Sequence, residues 1–408
     1  MEFWRRSVFY EIYMKSFQDS NGDGLGDFKG LTSRLDYLVD LGIDGIWLTP
    51  FYPSPQVDNG YDVSDYCDIN PDYGDMTDFR AFMKAADSRG IKVIIDLVLN
   101  HSSTEHAWFK ESRSSKTNPK RDYYIWREKP NNWESFFGGS AWEMDELTGE
   151  YYYHSFAKEQ ADLNWANEAV RAEIEEVLAF WLNEGVAGFR LDVINNLTLA
   201  LEFPDNPVAS GEMEHVYDRN QSGLEQALED IASFCRKERD VFLVGEISSD
   251  KLPEITRYSS KKMLDVTFNF NFGSVDQLDA KSVFTTLNEM ETALNEGQWP
   301  TLFFGSHDMS RFRSRLASGD LVKWDFYQTL LAFRKENDFK EMEYTFLKLD
   351  GEVLSYQRGE FIFLLHFGEE EVTYPLQGNY QLVFGEAMMV ENGIRMGAHT
   401  GIALRVEE

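Results

Sequence analysis

Short apolar runs alternate with longer amphipathic segments through most of the chain. The apolar runs lie at residues 8–13, 45–48, 93–98, 187–191, 242–245, 266–270 and 302–304. Apolar positions at helical spacing predict helices at residues 28–41, 76–89, 168–184 and 223–237. Strands that alternate with helices predict a parallel sheet covered by helices, and the spacing fits an α/β fold, a (β/α) barrel of TIM type.

Two segments break this alternation. Residues 101–160 are rich in Trp, Tyr, Asn and Gly and are too long for an ordinary loop. We interpret them as a subdomain inserted after the third strand, so that residues 1–100 and 161–337 form the barrel. After a helix at 325–337, short strands at 352–357, 361–366, 371–374, 380–384 and 401–406 predict a C-terminal antiparallel β-sandwich domain at 338–408.

The charge excludes some partners. Asp and Glu number 70 against 39 Lys and Arg, which gives a net charge of −31. Such a surface repels phosphate backbones and anionic lipids, so we expect neither a nucleic-acid nor a membrane partner. The N-terminal segment lacks an apolar signal region and a small-residue cleavage site, and only two cysteines occur among 408 residues. We therefore expect a cytoplasmic protein without a disulfide framework.

A glycine-rich loop follows the first predicted strand and places oxygen-bearing side chains at alternate positions. Oxygen ligands in such a loop fit a hard cation such as Ca²⁺. The candidate ligands are the side chains of Asp19, Asn21, Asp23 and Asp27 with the carbonyl of Leu25. An EF-hand is excluded because Gly30 stands where that motif needs a bidentate Glu. The alternative is an acidic turn that caps the helix beginning at Phe28.

Three carboxylates, Asp192, Glu246 and Asp308, follow three of the apolar runs. Barrels carry their chemistry at the carboxyl ends of their strands. A retaining glycosidase needs one carboxylate to attack the anomeric carbon and a protonated carboxyl to donate to the leaving oxygen, and a third can stabilise the transition state. A single Asp at such a position is more often a helix cap, so the constellation carries the hypothesis.

Several segments together resemble the α-amylase superfamily (glycoside hydrolase family thirteen), in its oligo-1,6-glucosidase/α-glucosidase branch. The opening VFYEIYMKSFQDSNGDGLGDFKGL is similar to that branch, and DLVLNH, GFRLDVI, VGEI and GSHD resemble its four signature regions in order. The inserted segment ends in QADLN, similar to the QPDLN of this branch, with Ala161 in place of proline.

The resemblance implies a role for each site residue. Asp192 would be the nucleophile, Glu246 the acid/base and Asp308 the transition-state stabiliser, while Arg190 would keep the nucleophile ionised. His101 and His307 would bind sugar hydroxyls, Asp62 would bind the terminal glucose, Tyr61 would stack on it, and Asp96 and Asn100 would support the site. Val193 after the nucleophile would favour α-1,6 bonds. The resemblance also assigns a structural calcium to Asp19, Asn21, Asp23, Leu25 and Asp27.

The chain departs from the family pattern after the fourth signature. Residues 310–323 pass almost directly into the helix at 325–337, without an apolar run for the eighth strand and without the loop arginine that pairs with the Asp62 equivalent. A missing strand leaves two sheet edges with unpaired backbone groups, which are costly when buried. The ring must then close in another way.

The sequence therefore predicts a retaining exo-acting α-glucosidase on short α-glucosides, with a lean to α-1,6 (isomaltose-type) bonds. The substrate would be a small oligosaccharide or disaccharide, the chemistry would need no cofactor, and the protein would be a monomer or homodimer. Trehalose-6-phosphate hydrolysis and glucosyl transfer stay open as alternatives. From another class, a catalytically impaired glycan-binding or structural homologue would fit the missing strand.

Overall fold

A computed structural model gives the fold. It describes residues 2–237, 239–275, 279–315, 321–337, 339, 342 and 344–407. The predicted boundary between residues 337 and 338 falls beside residues 338, 340, 341 and 343, which lie outside the described part of the chain. The three domain boundaries therefore stay predictions.

Twenty-one strands lie in the described residues. The strands up to the last barrel strand are β1 Phe9–Ile12, β2 Gly45–Leu48, β3 Lys92–Leu97, β4 His101–Ser103, β5 Trp126–Arg127, β6 Trp142–Asp145, β7 Glu150–Tyr153, β8 Gln160–Asp162, β9 Gly188–Leu191, β10 Val208–Ala209, β11 Glu212–Met213, β12 Phe242–Gly245 and β13 Val266–Thr267. The C-terminal strands are β14 Tyr344–Asp350, β15 Val353–Arg358, β16 Phe361–His366, β17 Val372–Pro375, β18 Tyr380–Phe384, β19 Ala387–Val390, β20 Gly393–Met396 and β21 Gly401–Val406.

Helices separate the barrel strands as the periodicity predicts. The α-helices of the described residues are α1 Met14–Phe17, α2 Phe28–Ser33, α3 Leu35–Leu41, α4 Met76–Asp87, α5 Ala107–Ser114, α6 Glu168–Asn183, α7 Leu224–Cys235, α8 Leu252–Arg257, α9 Phe270–Gly273, α10 Ala280–Ala293, α11 Phe312–Arg315 and α12 Leu321–Glu336. Short 3₁₀ turns occupy Phe3–Arg6, Arg121–Tyr123 and Ile194–Asn196. No helix in this part of the chain is long and apolar enough to cross a membrane.

Six parallel strands form the central sheet, in the order β1-β2-β3-β9-β12-β13. Strands β2, β9 and β12 are buried at every position, as expected of a parallel sheet that helices cover. Gly188 allows β9 and β12 to approach, because a Cβ at that position would lie 2.0 Å from the carbonyl oxygen of Phe242. The chain thus has the curved parallel sheet of a TIM-type barrel.

Aromatic side chains fill the interior at the amino-terminal end of these strands. Trp4, in the first 3₁₀ turn, stacks on Phe242 of β12 at 5.4 Å between ring centroids, and Phe9 of β1 stacks on the same ring at 5.2 Å. Trp47 and Val266 belong to the same buried cluster. Because strands from both ends of the sheet share this cluster, its packing draws the two edges toward each other.

The sequence predicted a seventh strand at 302–304, and this prediction is wrong, because the residues there take no strand conformation. The extended segment 301–308 instead bridges the two sheet edges through side chains. Thr301 donates from Oγ1 to the carbonyl of Thr267 on β13 at 2.6 Å and accepts the amide of Asn269 at 3.0 Å. At the other end, the amide of His307 donates to Glu11 of β1 at 3.2 Å. Side-chain bonds therefore replace part of the missing ladder.

Antiparallel sheets form the two segments outside the barrel pattern. Between β3 and α6, strands pair as β4-β8 and β5-β7-β6. The C-terminal strands form a five-stranded sheet, β14-β15-β16-β21-β18, and a three-stranded sheet, β17-β20-β19, whose apolar faces meet in one buried cluster. Strand β4 begins at His101, directly after β3, so the inserted sheets lie at the carboxyl end of the barrel strands.

Candidate active site

Arg190 on β9 lies at the centre of the candidate site. Its side chain is 2% exposed; Nη1 donates to Asp96 Oδ1 at 2.8 Å and to Asp192 Oδ1 at 2.5 Å, and Nη2 donates to Glu246 Oε2 at 2.5 Å. The guanidinium also lies 5.2 Å from the ring centre of Trp47. One fixed, always charged fork thus gathers carboxylates from the carboxyl ends of β3, β9 and β12. Because it is so deeply buried, Arg190 holds the catalytic carboxylates and lies behind the surface that a sugar would touch.

Asp192 and Glu246, the predicted nucleophile and acid/base, lie together as expected. Burial raises the pKa of Asp192 well above its usual range, while the charge of Arg190 opposes the shift and Glu246 adds to it. Their side chains are 8% and 14% exposed, so both reach solvent. Arg190 binds both carboxyls, so ion pairing alone does not decide which of them is ionised. The resemblance had implied that Arg190 would keep Asp192 ionised.

Val193, which follows Asp192 in the chain, has a strained backbone conformation that brings its amide beside Glu246. Its φ of +34° is left-handed, which is rare for a β-branched residue. In this conformation its amide lies 3.4 Å from Glu246 Oε2, and the next amide, of Ile194, donates to the Glu246 carbonyl at 3.0 Å. Strain of this kind persists where the surroundings fix the backbone, often at functional sites.

His307, Tyr61 and Asp96 form a second network beside the guanidinium. The Tyr61 hydroxyl donates to Asp96 Oδ2 at 2.9 Å and lies 2.8 Å from His307 Nε2. The Tyr61 and His307 rings stack at 5.3 Å with 13° between their planes. Asp308 Oδ1 lies 3.4 Å from the same Nε2, and its side chain is 52% exposed. The structure thus brings Asp308 beside the buried pair of Tyr61 and His307, on the open, solvent-exposed side of the site.

His101 is held as a neutral ring. Its Nε2 lies 3.0 Å from Gln160 Nε2, which donates to it, and burial lowers its pKa to about 3. Asn100 connects it to Asp162, whose Oδ2 accepts the Asn100 amide at 3.0 Å. A neutral imidazole of this kind can exchange hydrogen bonds with a sugar hydroxyl without adding charge.

Asp62, predicted to bind glucose, is bound within its own loop, and its role in binding glucose stays a prediction. It is fully buried, and its oxygens accept from the hydroxyl of Ser54 at 2.8 Å and from the amides of Val57 and Asp58 at 2.9 and 3.1 Å. It therefore fixes the loop after β2. Tyr61, expected to stack on glucose, presents its hydroxyl to Asp96 and its ring to His307.

Asp58, from the same loop, contacts groups of the candidate site. Its Oδ2 accepts from Gln160 Nε2 at 2.9 Å, and Gln160 in turn binds His101. Partial burial raises the pKa of Asp58, and Asp308 and His307 both lie near enough to act on its charge. The sequence reasoning missed Asp58; the signal that was present is a second acidic residue in the same loop, four positions before Asp62.

The predicted calcium loop carries the expected oxygens in local turns. Asp19 accepts the amides of Asn21, Gly22 and Gly24, and Asp27 accepts those of Ser20 and Gly30, the latter at 2.7 Å as the cap of α2. Across the described ranges, no three His, Cys, Asp or Glu side chains are grouped so as to hold a metal ion. Asp19 Oδ1 and Asp27 Oδ2 each accept two hydrogen bonds, whereas Asp19 Oδ2 and both Asp23 oxygens accept one and keep a lone pair, so the donor chemistry of these oxygens still fits Ca²⁺.

The chain is similar in sequence to known proteins. The Alpha-amylase family, described as "Alpha amylase, catalytic domain", matches residues 11–346. The chain is 41% identical to the oligo-1,6-glucosidase of Parageobacillus thermoglucosidasius over 350 residues, which are 81% of this chain and 62% of that protein. It is 42% identical to the trehalose-6-phosphate hydrolase of Bacillus subtilis (strain 168) over 331 residues, which are 76% of this chain and 58% of that protein. The chain belongs to the α-amylase family.

The same likeness holds at the level of structure. The crystal structure of a trehalose-6-phosphate hydrolase from Bacillus licheniformis has a TM-score of 0.88 and 29% sequence identity, and the match covers 100% of both chains. The chain spans 62%, 61% and 60% of the length of the first three curated relatives, all oligo-1,6-glucosidases. The fold is therefore that of the α-amylase family.

Proposed function

We propose that this α-amylase family protein is a retaining α-glucosidase that releases glucose from short α-glucosides. The observation that carries the proposal is the binding of Asp192 and Glu246 to adjacent nitrogens of one guanidinium. Carboxyls held this close fit a retaining enzyme, because an inverting one separates them by about 6.5–9.5 Å to admit a water. The position of Asp308 on the open side fits a group that meets the sugar.

The contacts of Asp192 and Glu246 with Arg190 indicate the order of the reaction steps. A sugar that enters between the carboxyls turns Glu246 away from Arg190, while Asp192 keeps its bond to Nη1 and stays ionised. Glu246 then acts as the acid and donates a proton to the leaving oxygen as Asp192 attacks the anomeric carbon. Water deprotonated by Glu246 then breaks the glucosyl–Asp192 ester and releases glucose with its configuration retained.

Kinetics of two variants test this assignment. Asp192→Asn should abolish release of p-nitrophenol from p-nitrophenyl α-glucoside. Glu246→Gln should lose most activity on isomaltose but keep far more on the nitrophenyl substrate, whose leaving group needs little protonation. Glu105→Gln, in a surface pair with Lys110, is the matched control and should change neither rate. Equal losses on both substrates in Glu246→Gln would contradict its role as the acid. A folded wild-type protein without activity would support the impaired homologue instead.

We assign an α-1,6 preference from Val193 and from the relatives, of which several are oligo-1,6-glucosidases and one is a glucan 1,6-alpha-glucosidase. Trehalose-6-phosphate hydrolysis is the second candidate, because two relatives at 42% and 43% identity carry that name. Product analysis on isomaltose, maltose, trehalose and trehalose-6-phosphate separates the two. Cleavage of the phosphorylated sugar alone would overturn the substrate and leave the mechanism standing.

We also propose that the loop of Asp19, Asn21, Asp23, Leu25 and Asp27 binds a structural Ca²⁺. The support is its five oxygen donors within nine residues next to the cap of α2. Chelation should lower the midpoint of thermal unfolding, and added Ca²⁺ should restore it, while Asp23→Ala should be insensitive to both. A wild-type midpoint that chelators leave unchanged would refute the site.

A further inference from the structure

Glu11 on β1 contacts His307 twice, although no pattern in the sequence placed it in the site. Its Oε1 accepts from the His307 ring at Nδ1, 2.7 Å away, and from the His307 amide at 3.2 Å. Both side chains are mostly buried, at 15% and 11% exposure. A carboxylate at this distance in a partly dry setting forms a strong, charge-assisted hydrogen bond with a ring N–H. One nitrogen of His307 is therefore committed to Glu11.

The hydrogen bonds around Tyr61 determine the state of the other nitrogen. The Tyr61 hydroxyl donates its only hydrogen to Asp96 Oδ2, at 2.9 Å, and Asp96 also faces Arg190 at 2.8 Å. The Tyr61 oxygen can then only accept at His307 Nε2, 2.8 Å away. Asp308 Oδ1, at 3.4 Å, is a further acceptor on that side. Both ring nitrogens thus donate, which requires an imidazolium.

The charges around His307 agree with this state. Burial alone would lower the pKa of His307, but the Glu11 hydrogen bond and the charges of Asp308 and Glu11 outweigh it, and the pKa is raised. The charged and titratable groups that face His307 are Glu11 from β1, Tyr13 beside it, Asp58 and Tyr61 from the loop after β2, Asp96 from β3, Arg190 from β9 and Asp308 from its own segment. Among these described groups, the four carboxylates outnumber Arg190, the one cation besides His307 itself.

We propose that Glu11 is a positioning residue that keeps His307 protonated on both ring nitrogens, so that Nε2 presents a fixed N–H beside Asp308 at the sugar-binding face. The inference rests on the proposed function for its consequence, but the protonation state of His307 does not depend on it. Glu11 also ties segment 301–308 to β1, so its loss affects both the closure of the sheet edges and the charge of the site. The experiment must separate these two effects.

Nuclear magnetic resonance of the histidine rings makes that separation in the intact protein. Long-range ¹H–¹⁵N correlation spectra report whether each ring nitrogen carries a proton, and the signals missing in His307→Asn belong to His307. In the wild type we expect His307 doubly protonated at about pH 7. In Glu11→Gln, which keeps an acceptor oxygen but removes the charge, its titration midpoint should fall by about one pH unit or more. Glu11→Asp should keep the doubly protonated state.

The outcomes are distinct. A neutral His307 in the wild type at about pH 7, or an unchanged midpoint in Glu11→Gln, would overturn the proposal. If Glu11→Gln fails to fold, the wild-type spectrum and Glu11→Asp still decide. Glu105→Gln is the control that should leave the His307 signals unmoved. In the activity assay, the alkaline limb of kcat/KM should move to lower pH in Glu11→Gln by the same shift. A wild type without glucosidase activity would refute the proposed function and leave the spectroscopic test intact.

Discussion

Replacing Arg190 with methionine should destabilise the barrel through charge rather than through packing. Methionine keeps most of the apolar stem beside Trp47 but removes the cation that Asp96, Asp192 and Glu246 all bind. Removing one partner of a buried ion pair costs about 3–5 kcal/mol, because the other charge is left without compensation. Three carboxyls share the loss here, so we expect a value at the upper end of that range near neutral pH.

The cost should depend on pH in a defined direction. Burial already raises the pKa of Asp192 and of Asp96, and the charge of Arg190 opposes both shifts. Without that charge the folded-state values rise further above the unfolded value of about 3.9. A carboxyl with a raised folded pKa contributes its stability below the unfolded pKa and loses it as pH rises toward the folded pKa. The variant should therefore be closest to wild type at or below about pH 4 and fall behind as pH rises from there.

Hydrogen exchange measures this free energy in the sheet that holds the residue. Amide protection on β9 and β12 reports the opening of the barrel and separates it from the C-terminal sheets, which need not unfold with it. Arg80→Met is the matched control: Arg80 pairs with Glu184 at 2.6 Å with its own side chain 58% exposed. Such surface pairs contribute about 0–1 kcal/mol. A loss below about 1 kcal/mol in Arg190→Met, or one equal at acidic and neutral pH, would refute the reasoning.

Three further substitutions separate binding, specificity and packing. Asp58→Asn should raise KM with little change in the unfolding midpoint, whereas Asp62→Asn should lower the midpoint; the reverse pattern would restore Asp62 to the site. Val193→Thr should move the ratio of kcat/KM for isomaltose over maltose toward maltose by about tenfold, within the 1–3 kcal/mol of one pocket side chain; an unchanged ratio would remove Val193 from specificity. Trp4→Ala should cost about 3–5 kcal/mol of barrel stability in hydrogen exchange, with Trp4→Phe much milder; equal effects would show that the stack on Phe242 does not matter.

Hydrophobic periodicity predicted those strands whose own residues carry the apolar pattern. The runs that became β2, β9 and β12 are short, apolar apart from Arg190 and followed by polar residues, so their type and their ends were both visible in the sequence. The run at 302–304 had the same appearance but formed no strand. The flanking residues Thr301 and His307 bond instead to Thr267 on β13 and to Glu11 on β1, and such partners are set by the tertiary arrangement rather than by local pattern.

The residues of the candidate site likewise divide into those that the sequence predicted and those that only the structure revealed. Asp192, Glu246 and Asp308 were found because each follows an apolar run and lies within a motif of the α-amylase family. Asp58 and Asp62 stand in one loop, and only the folded structure shows that Asp62 is buried against two backbone amides while Asp58 binds Gln160. Residue type and spacing cannot reveal which carboxylate a loop turns inward.

The configuration of newly released glucose tests the central claim most directly. Proton spectra recorded in the first moments of isomaltose hydrolysis distinguish the two anomers before they interconvert. A double displacement through Asp192 predicts α-glucose first, with no glucose from Asp192→Asn under the same conditions. Initial β-glucose, or undiminished release by Asp192→Asn, would contradict the account.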